Sequence, residues 1–269
     1  MDPSVFTTVI DGYLPEPHSS LLNGILFGID LKTNKIFWQQ LKAVGLVHLV
    51  VLSGSNIAIL ASITGNLTQK FSKSISCMIT VFIILIFIVF VGPQAPIIRA
   101  GIMGILTVVA IIYGKKYSAL WGLILSAIFI TVFFPDWLKT VSFYLSYSAT
   151  IGLILFGKVS IKKNHNNLID NLLHKIWVEL KPTVIAQLFT TPIIFVYFRQ
   201  ISIISPITNL LVAFTIYPLM VFGFMTAVLG KISFGLGLIP SYICYGLLNY
   251  LVFVTETLSA LPFAYVNLP

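Results

Sequence analysis

The sequence is poor in charge and in cysteine, and both shortages limit what the protein can be. Only 9% of its 269 residues are charged, whereas a soluble globular domain carries about 25%. The two cysteines, Cys77 and Cys244, fall in apolar segments and offer neither a disulfide framework nor the spacing of a metal site. The opening residues lack a basic stretch followed by an apolar one, so we expect no cleavable signal peptide.

Long apolar runs are what the sequence has in place of charge. Hydrophobic residues make up 58% of the chain, and runs of about 18 or more recur, each able to cross a bilayer core about 30 Å thick. The short alternating segments of a membrane β-barrel are absent. We therefore predict an all-α, polytopic transmembrane helical bundle of about seven or eight spans. The predicted spans lie near 43–67, 75–92, 97–113, 118–134, 140–157, 183–199, 206–229 and 238–261.

The segment before the first predicted span has a different pattern. In 1–42, Leu21, Leu22 and Ile25 recur at helical spacing among polar residues, and Trp38 lies beside lysines. This pattern is typical of amphipathic helices that lie in the membrane interface. We therefore divide the chain into an N-terminal external segment with interfacial amphipathic helices (1–42), a transmembrane domain (43–262) with a cytoplasmic amphipathic loop at 158–182, and a C-terminal tail (263–269).

Membrane topology explains most of the net charge of +8. If the N-terminus is external, the external loops between spans carry only Lys139 and Arg199, and the lysine-rich loops are all cytoplasmic, as the positive-inside rule expects. The cytoplasmic lysines are then Lys70, Lys73, Lys115, Lys116, Lys158, Lys162, Lys163, Lys175, Lys181 and Lys231. The positive charge alone therefore does not indicate a nucleic-acid partner.

Polar residues interrupt several predicted spans and are the candidates for a functional site. His48 and Ser55 share one face of the first span, next to an SGSN tetrapeptide whose residue types disfavour a continuous helix. Arg99 lies a few residues inside its span. His48 and Arg99 are the least favourable residues in lipid, so they lead the functional candidates. Structural interpretations stay open, because membrane Ser and Thr often bond their own helix and Arg99 is long enough to reach the surface.

Five blocks, in order, resemble the competence domain of the ComEC family, bacterial inner-membrane proteins that take in transforming DNA. The blocks are LPEPHSSLLNGILFG (14–28), LKAVGLVHLVVLSGSNIAIL (41–60), VGPQAPIIRAGIMGIL (91–106), FFPDWLKTVSFYLSYSATIGLILF (133–156) and VIAQLFTTPIIFVYFRQISIISPITNLLVAFTIYPL (184–219). The residues that match the family pattern include His48, Ser53, Gly54, Arg99, Ala100 and Gln187. Asn56 departs from it by replacing a second histidine, and asparagine cannot titrate near neutral pH.

The resemblance implies a channel that conducts single-stranded DNA through the bacterial inner membrane. It also implies a lipid bilayer, a DNA receptor, a separate nuclease and a cytoplasmic ATP-driven motor as partners. The oligonucleotide-binding-fold and metallo-β-lactamase-like domains of many members are not recognisable here, so we expect no enzyme activity, cofactor or metal. The residues predicted to line the DNA path are His48, Ser53, Ser55, Asn56, Arg99, Gln187, Thr191, Tyr242, Tyr245 and Asn249.

Two other functions compete with the channel. A secondary transporter of a small solute or lipid precursor also uses polar groups near the middle of broken helices. An intramembrane serine hydrolase would pair His48 with Ser55, but these residues are about 10.5 Å apart along a continuous helix, whereas a nucleophile and its base need about 3 Å. The channel is the function that the sequence favours.

Overall fold

The computed structural model describes residues 4–29, 31–50, 54–157, 168–262 and 264–267. Helices dominate these residues, which confirms the predicted all-α bundle. The α-helices are α1 Ser4–Tyr13, α2 His18–Phe27, α3 Lys35–Ala43, α4 Val47–Val50, α5 Gly54–Leu67, α6 Lys73–Val91, α7 Ala95–Ile112, α8 Ala119–Phe133, α9 Val141–Phe156, α10 Leu168–Phe198, α11 Ser205–Ile232 and α12 Phe234–Ser259. A 3₁₀-helix, Pro135–Lys139, precedes α9, and strands β1 (Gln200–Ser202) and β2 (Tyr265–Asn267) form one short antiparallel pair.

Most of the predicted spans coincide with single helices. Five helices are long and apolar enough to cross a membrane, namely α6, α7, the Leu180–Tyr197 part of α10, α11 and α12. Helices α8 and α9 are apolar but shorter, with 15 and 16 residues. The protein is therefore a helical membrane bundle, and every predicted span after the first corresponds to one helix.

The predicted cytoplasmic loop at 158–182 differs from the structure in its second half. Residues 158–167 lie outside the described residues. From Leu168 the chain already belongs to α10, which continues to Phe198 and contains Pro182 in its interior. The amphipathic segment and the span that follows it are therefore one helix of 31 residues.

The predicted first span, 43–67, does not begin as one helix at residue 43. Helix α3 ends at Ala43, a turn follows, and α4 begins at Val47, while α5 covers Gly54–Leu67. Between α3 and α4, Gly45 has a left-handed φ of +75°, which ends the helix. A Cβ at Gly45 would also lie 2.5 Å from the Ser205 hydroxyl oxygen. Gly45 therefore turns the chain closely against the start of α11.

Helix α2 lies in the centre of the core, packed against α1, α11 and α12. All ten of its residues are buried. Two of its polar side chains find acceptors inside the protein. Ser20 donates a 2.7 Å hydrogen bond to the Glu16 carboxylate, and Asn23 donates a 2.8 Å bond to the Asp11 carboxylate. The prediction of an interfacial amphipathic helix is therefore wrong for α2, since internal partners replace water on its polar face.

Helix α3 does have the predicted amphipathic pattern. Phe37 and Leu41 are buried, whereas Lys35 and Lys42 are exposed. The Asn34 side chain caps the start of the helix by accepting a hydrogen bond from the Ile36 amide. The two helices α2 and α3 thus have different environments.

Helix α1 packs against one end of the bundle. The Tyr13 ring stacks on Phe234 with centroids 4.7 Å apart, and its hydroxyl donates a 2.7 Å hydrogen bond to the Phe234 carbonyl. The Lys231 ammonium lies 5.1 Å from the Phe6 ring centroid. Helix α1 is therefore at the same end as the turn between α11 and α12. The sequence predicts both an external N-terminus and a cytoplasmic Lys231. Because α1 and Lys231 lie at the same end of the bundle, these two predictions exclude each other in this structure.

Candidate functional site

Three helices meet at the Arg99 side chain. Arg99 lies near the start of α7, and its guanidinium donates a hydrogen bond to the Thr150 hydroxyl of α9. Its Nη2 atom also lies against α5, because a Cβ on Gly54 would be 2.6 Å away. Its Nε atom is buried and has no hydrogen-bond partner among the described residues. Glycine at position 54 is therefore what gives the guanidinium its space.

The groups around Arg99 are hydroxyls. Thr150 accepts from Arg99 and donates its own proton to the Ser146 carbonyl at 2.7 Å. The phenols of Tyr117 and Tyr147 are close enough to interact with the Arg99 charge. Burial raises the pKa of Tyr117, which lies between α7 and α8, and the nearby Thr107 hydroxyl and the Arg99 charge oppose that rise. Within the described residues, the partner of Arg99 is thus a hydroxyl and not a carboxylate.

The described part of the SGSN tetrapeptide forms the first turn of α5. Asn56 is 2% exposed, and its side-chain amide donates a 2.8 Å hydrogen bond to the Ile25 carbonyl of α2. The Ser55 hydroxyl donates to the Asn56 side-chain oxygen at 3.4 Å. Asn56 therefore ties α5 to the buried α2, two residues from the glycine that contacts Arg99. His48 is exposed on α4, and the predicted path residue Ser53 lies outside the described residues.

Three of the residues predicted to line the DNA path lie on α12, and His18 of α2 contacts one of them. The Tyr245 ring stacks on His18 with centroids 4.9 Å apart. Tyr242 is 72% exposed, and Asn249 is exposed too. Burial lowers the pKa of His18, while the Asn249 side chain and the Glu16 charge oppose that lowering. The sequence interpretation missed His18 because it lies outside any predicted span, although the PEPHSS block contains it.

Two further predicted residues lie on α10 and bond to backbone. The Gln187 side-chain amide donates a 2.8 Å hydrogen bond to the Ser202 carbonyl of β1. The Thr191 hydroxyl donates to the Gln187 carbonyl one turn earlier, at 2.7 Å. Gln187 therefore anchors β1 to α10, and Thr191 has the intrahelical bond expected of a membrane threonine. The predicted path residues that the structure describes fall in four places, around Arg99 and the start of α5, on α4, on α12 and on α10.

The Arg99 group is the one whose chemistry points to a ligand. A guanidinium that faces hydroxyls keeps its positive charge available for an anion, and it can donate two parallel hydrogen bonds to a phosphate or carboxylate. The described residues contain no group of three histidine, cysteine, aspartate or glutamate side chains that could hold a metal ion. Thr150 was missed by the sequence interpretation, because several threonines in the predicted spans look alike.

Comparison with known proteins places most of the chain in one family. The family model described as "Competence protein" matches residues 25–269. An uncharacterized protein of Aquifex aeolicus (strain VF5) is 29% identical over 114 residues, which is 42% of this chain and 27% of that protein. The chain thus spans about a quarter of the length of that relative. No solved structure matches.

Proposed function

Because the chain belongs to the competence protein family, we propose that it conducts a single DNA strand across the bacterial inner membrane during natural transformation. Family membership supports a role in competence and DNA uptake. The more specific proposal, that the bundle itself is the conduit, is supported by the polar groups held within it. A strand that crosses about 30 Å of hydrocarbon needs such groups to solvate its phosphates.

The observation that carries the proposal is the environment of Arg99. A charged side chain inside a membrane bundle is costly and marks a functional path by default. Thr150 accepts its hydrogen bond, but a hydroxyl does not neutralise the charge. A passing phosphate would supply the missing anion for a short time, whereas a permanent carboxylate partner would compete with it. One such cation favours passage over tight retention.

The exposed aromatic rings of α12 suit the bases of the same strand. The Tyr245 side chain is 42% exposed, and the His18 ring stacks on it. Part of the Tyr245 ring therefore remains open to a base. Stacking on aromatic rings tolerates any sequence and contributes about 1–3 kcal/mol per base. The open side of α12 also presents Tyr242 and Asn249. The DNA receptor, separate nuclease and ATP-driven motor belong to this proposal as partners.

Purified protein in liposomes tests the proposal. The measurement is the uptake of a fluorescent single-stranded oligonucleotide into a compartment that an added nuclease cannot reach. The Arg99→Gln variant should lower the rate at least about tenfold, because it removes a charge-assisted hydrogen bond inside the bundle. Arg99→Lys should be intermediate, since it keeps the charge and loses the planar donor geometry.

Exposed Lys116, beyond the other end of α7, provides the matched control. Lys116→Gln removes one positive charge without touching the bundle interior and should keep the wild-type rate. A normal rate for Arg99→Gln at equal reconstitution would contradict the proposed path. Flux of small solutes without flux of DNA would instead identify a secondary transporter. In cells that lack their own channel, His48→Ala tests whether His48 belongs to the path.

A further inference from the structure

Helix α3 presents two lysines on one exposed face. Lys35 and Lys42 are seven residues apart, so they point in nearly the same direction, and the exposed Gln39 lies between them. The opposite face buries Phe37 and Leu41 in the core. The backbone that carries the lysines is therefore held rigidly by apolar packing. We refer to Lys35, Gln39 and Lys42 as the α3 lysine face.

The two ammonium groups are available to a ligand. Both lysines are exposed, and neither forms an ion pair with another of the residues that the structure describes. The Lys42 ammonium lies 5.6 Å from the centroid of the Trp38 ring, a cation–π contact that favours one position without neutralising the charge. A basic face that forms no ion pair with the residues the structure describes is an electrostatic footprint for an anion.

The α3 lysine face lies at the end of the bundle opposite Lys231. Helix α3 packs against α12 and against β1, the strand just before α11 begins. Gly45, just after α3, contacts Ser205 in the first turn of α11. Since α11 has 28 residues, this end is about 40 Å from the Lys231 end along that helix. A ligand on α3 therefore sits at the end of the bundle opposite α1.

We propose that the α3 lysine face binds the phosphate backbone of the incoming DNA strand before it enters the bundle. The proposal rests on the proposed function for the identity of the ligand. Seven helical residues extend about 10 Å, so the two ammonium groups are spaced to contact separate phosphates of one strand. Lysine is a flexible point charge, and it suits sequence-independent and reversible binding better than a rigid bidentate donor.

A salt titration with neutral variants measures these contacts. The protein is placed in nanodiscs of phosphatidylcholine only, so that no anionic lipid competes, and binding of a fluorescein-labelled single-stranded oligonucleotide is followed by anisotropy. Each phosphate contact to a single strand contributes about 0.7 to the slope of log K against log salt. The double variant Lys35→Gln/Lys42→Gln should therefore reduce the magnitude of the slope by about 1.4.

The exposed pair Lys70 and Lys73 is the matched control. It lies beyond the far end of α5, about 20 Å along that helix. Lys70→Gln/Lys73→Gln should leave the slope unchanged. An unchanged slope in the α3 double variant, or an equal loss in both double variants, would overturn the proposal.

Two further arms separate the alternatives. An uncharged-backbone oligonucleotide of the same sequence should not bind, and equal binding would overturn a phosphate site. If the α3 variant loses affinity only for vesicles that contain phosphatidylglycerol, the face anchors α3 to anionic lipid and the proposal fails. Conduction is measured separately in liposomes with the wild type and Arg99→Gln, so failure of the α3 site and failure of the channel give different results. If the wild type binds no oligonucleotide, the α3 proposal fails, and the liposome uptake assay decides the channel separately.

Discussion

At the scale of single residues, Gly54 decides where the Arg99 guanidinium lies. A Cβ at this position would be 2.6 Å from Nη2 of Arg99 and 3.1 Å from Cβ of Ala100. The end of an arginine can move, whereas Ala100 on the helix backbone cannot move as freely. Gly54→Ala should therefore displace the guanidinium from Thr150 and lower oligonucleotide uptake by about tenfold, the effect of losing a charge-assisted hydrogen bond.

The control for Gly54 is in the same helix. A Cβ at Gly65 would meet nothing within 4 Å. Gly65→Ala carries the same gain in helix propensity, about 1 kcal/mol, and should take up oligonucleotide at the wild-type rate. Equal uptake by the two alanine variants would show that the contact between Gly54 and Arg99 has no functional role.

Asn56 has a structural role that can be measured as stability. Its amide nitrogen donates to the Ile25 carbonyl in a fully buried place. Asn56→Asp keeps the shape and removes the donor, so it should destabilise the protein by about 1–3 kcal/mol. Thermal unfolding in detergent, followed by fluorescence-detected size exclusion, measures the change. Asn66→Asp, at an exposed position of the same helix, should unfold like the wild type, and a similar loss there would point to charge rather than the lost bond.

Residue chemistry in the sequence indicates some of the site and not the rest. Arg99 is conspicuous because a charge in an apolar run is costly, so it is predictable without a structure. The tether from Asn56 to Ile25 is not, because it joins residues 31 positions apart. The partner hydroxyl of Thr150 is equally hidden, since many threonines in the spans look the same. The sequence shows the residue types, but it does not show which residues far apart in the chain contact each other.

At the scale of elements, α2 carries a titratable group into the core. Burial lowers the pKa of His18 below its usual 6.5, so the unfolded chain takes up the proton more readily than the folded one. The folded state is therefore at full stability above about pH 6.5 and loses stability as the pH falls through the lowered pKa. Glu16 and Asp11 are the nearest acids, and they accept bonds from α2 hydroxyl and amide groups.

Replacing His18 with phenylalanine isolates this effect. His18→Phe keeps a ring for Tyr245 to stack on and removes the titration. Between pH 7 and pH 5 its melting temperature should fall less than that of the wild type. Parallel melting curves for the two proteins over this range would mean that His18 does not couple protonation to folding.

The same helix shows why element type was easier to predict than element environment. Apolar residues at helical spacing correctly indicate that α2 is a helix. A polar face, however, is compatible with water outside or with internal acceptors, and Glu16 and Asp11 supply the latter. The break at Gly45 was missed for a related reason, because its close approach to Ser205 is a tertiary contact. A continuous apolar run such as α6 has no polar face that could be bound by either water or internal acceptors. Spans of this kind were predicted correctly.

At the scale of the whole molecule, the position of α1 changes the expected topology. Tyr13 bonds to Phe234 at the turn after α11, and α3 lies with β1 at the other end. The N-terminal segment therefore passes through the bundle between Tyr13 and Lys35. If the lysine-rich loops stay in the cytoplasm as the positive-inside rule requires, then the N-terminus is cytoplasmic too. The α3 lysine face is then external, the side from which the proposed DNA ligand would come.

Cysteine accessibility distinguishes this topology from an external N-terminus. In a background of Cys77→Ser and Cys244→Ser, single cysteines replace the exposed residues Gly12, Lys35 and Lys231. With a membrane-impermeant maleimide, Lys35→Cys should react in intact cells, whereas Gly12→Cys and Lys231→Cys should react only after permeabilisation. Reaction of Gly12→Cys together with Lys35→Cys, and apart from Lys231→Cys, would contradict the packing of α1 on the turn. Because this comparison needs only sidedness, it tests the bundle arrangement independently of any transport assay.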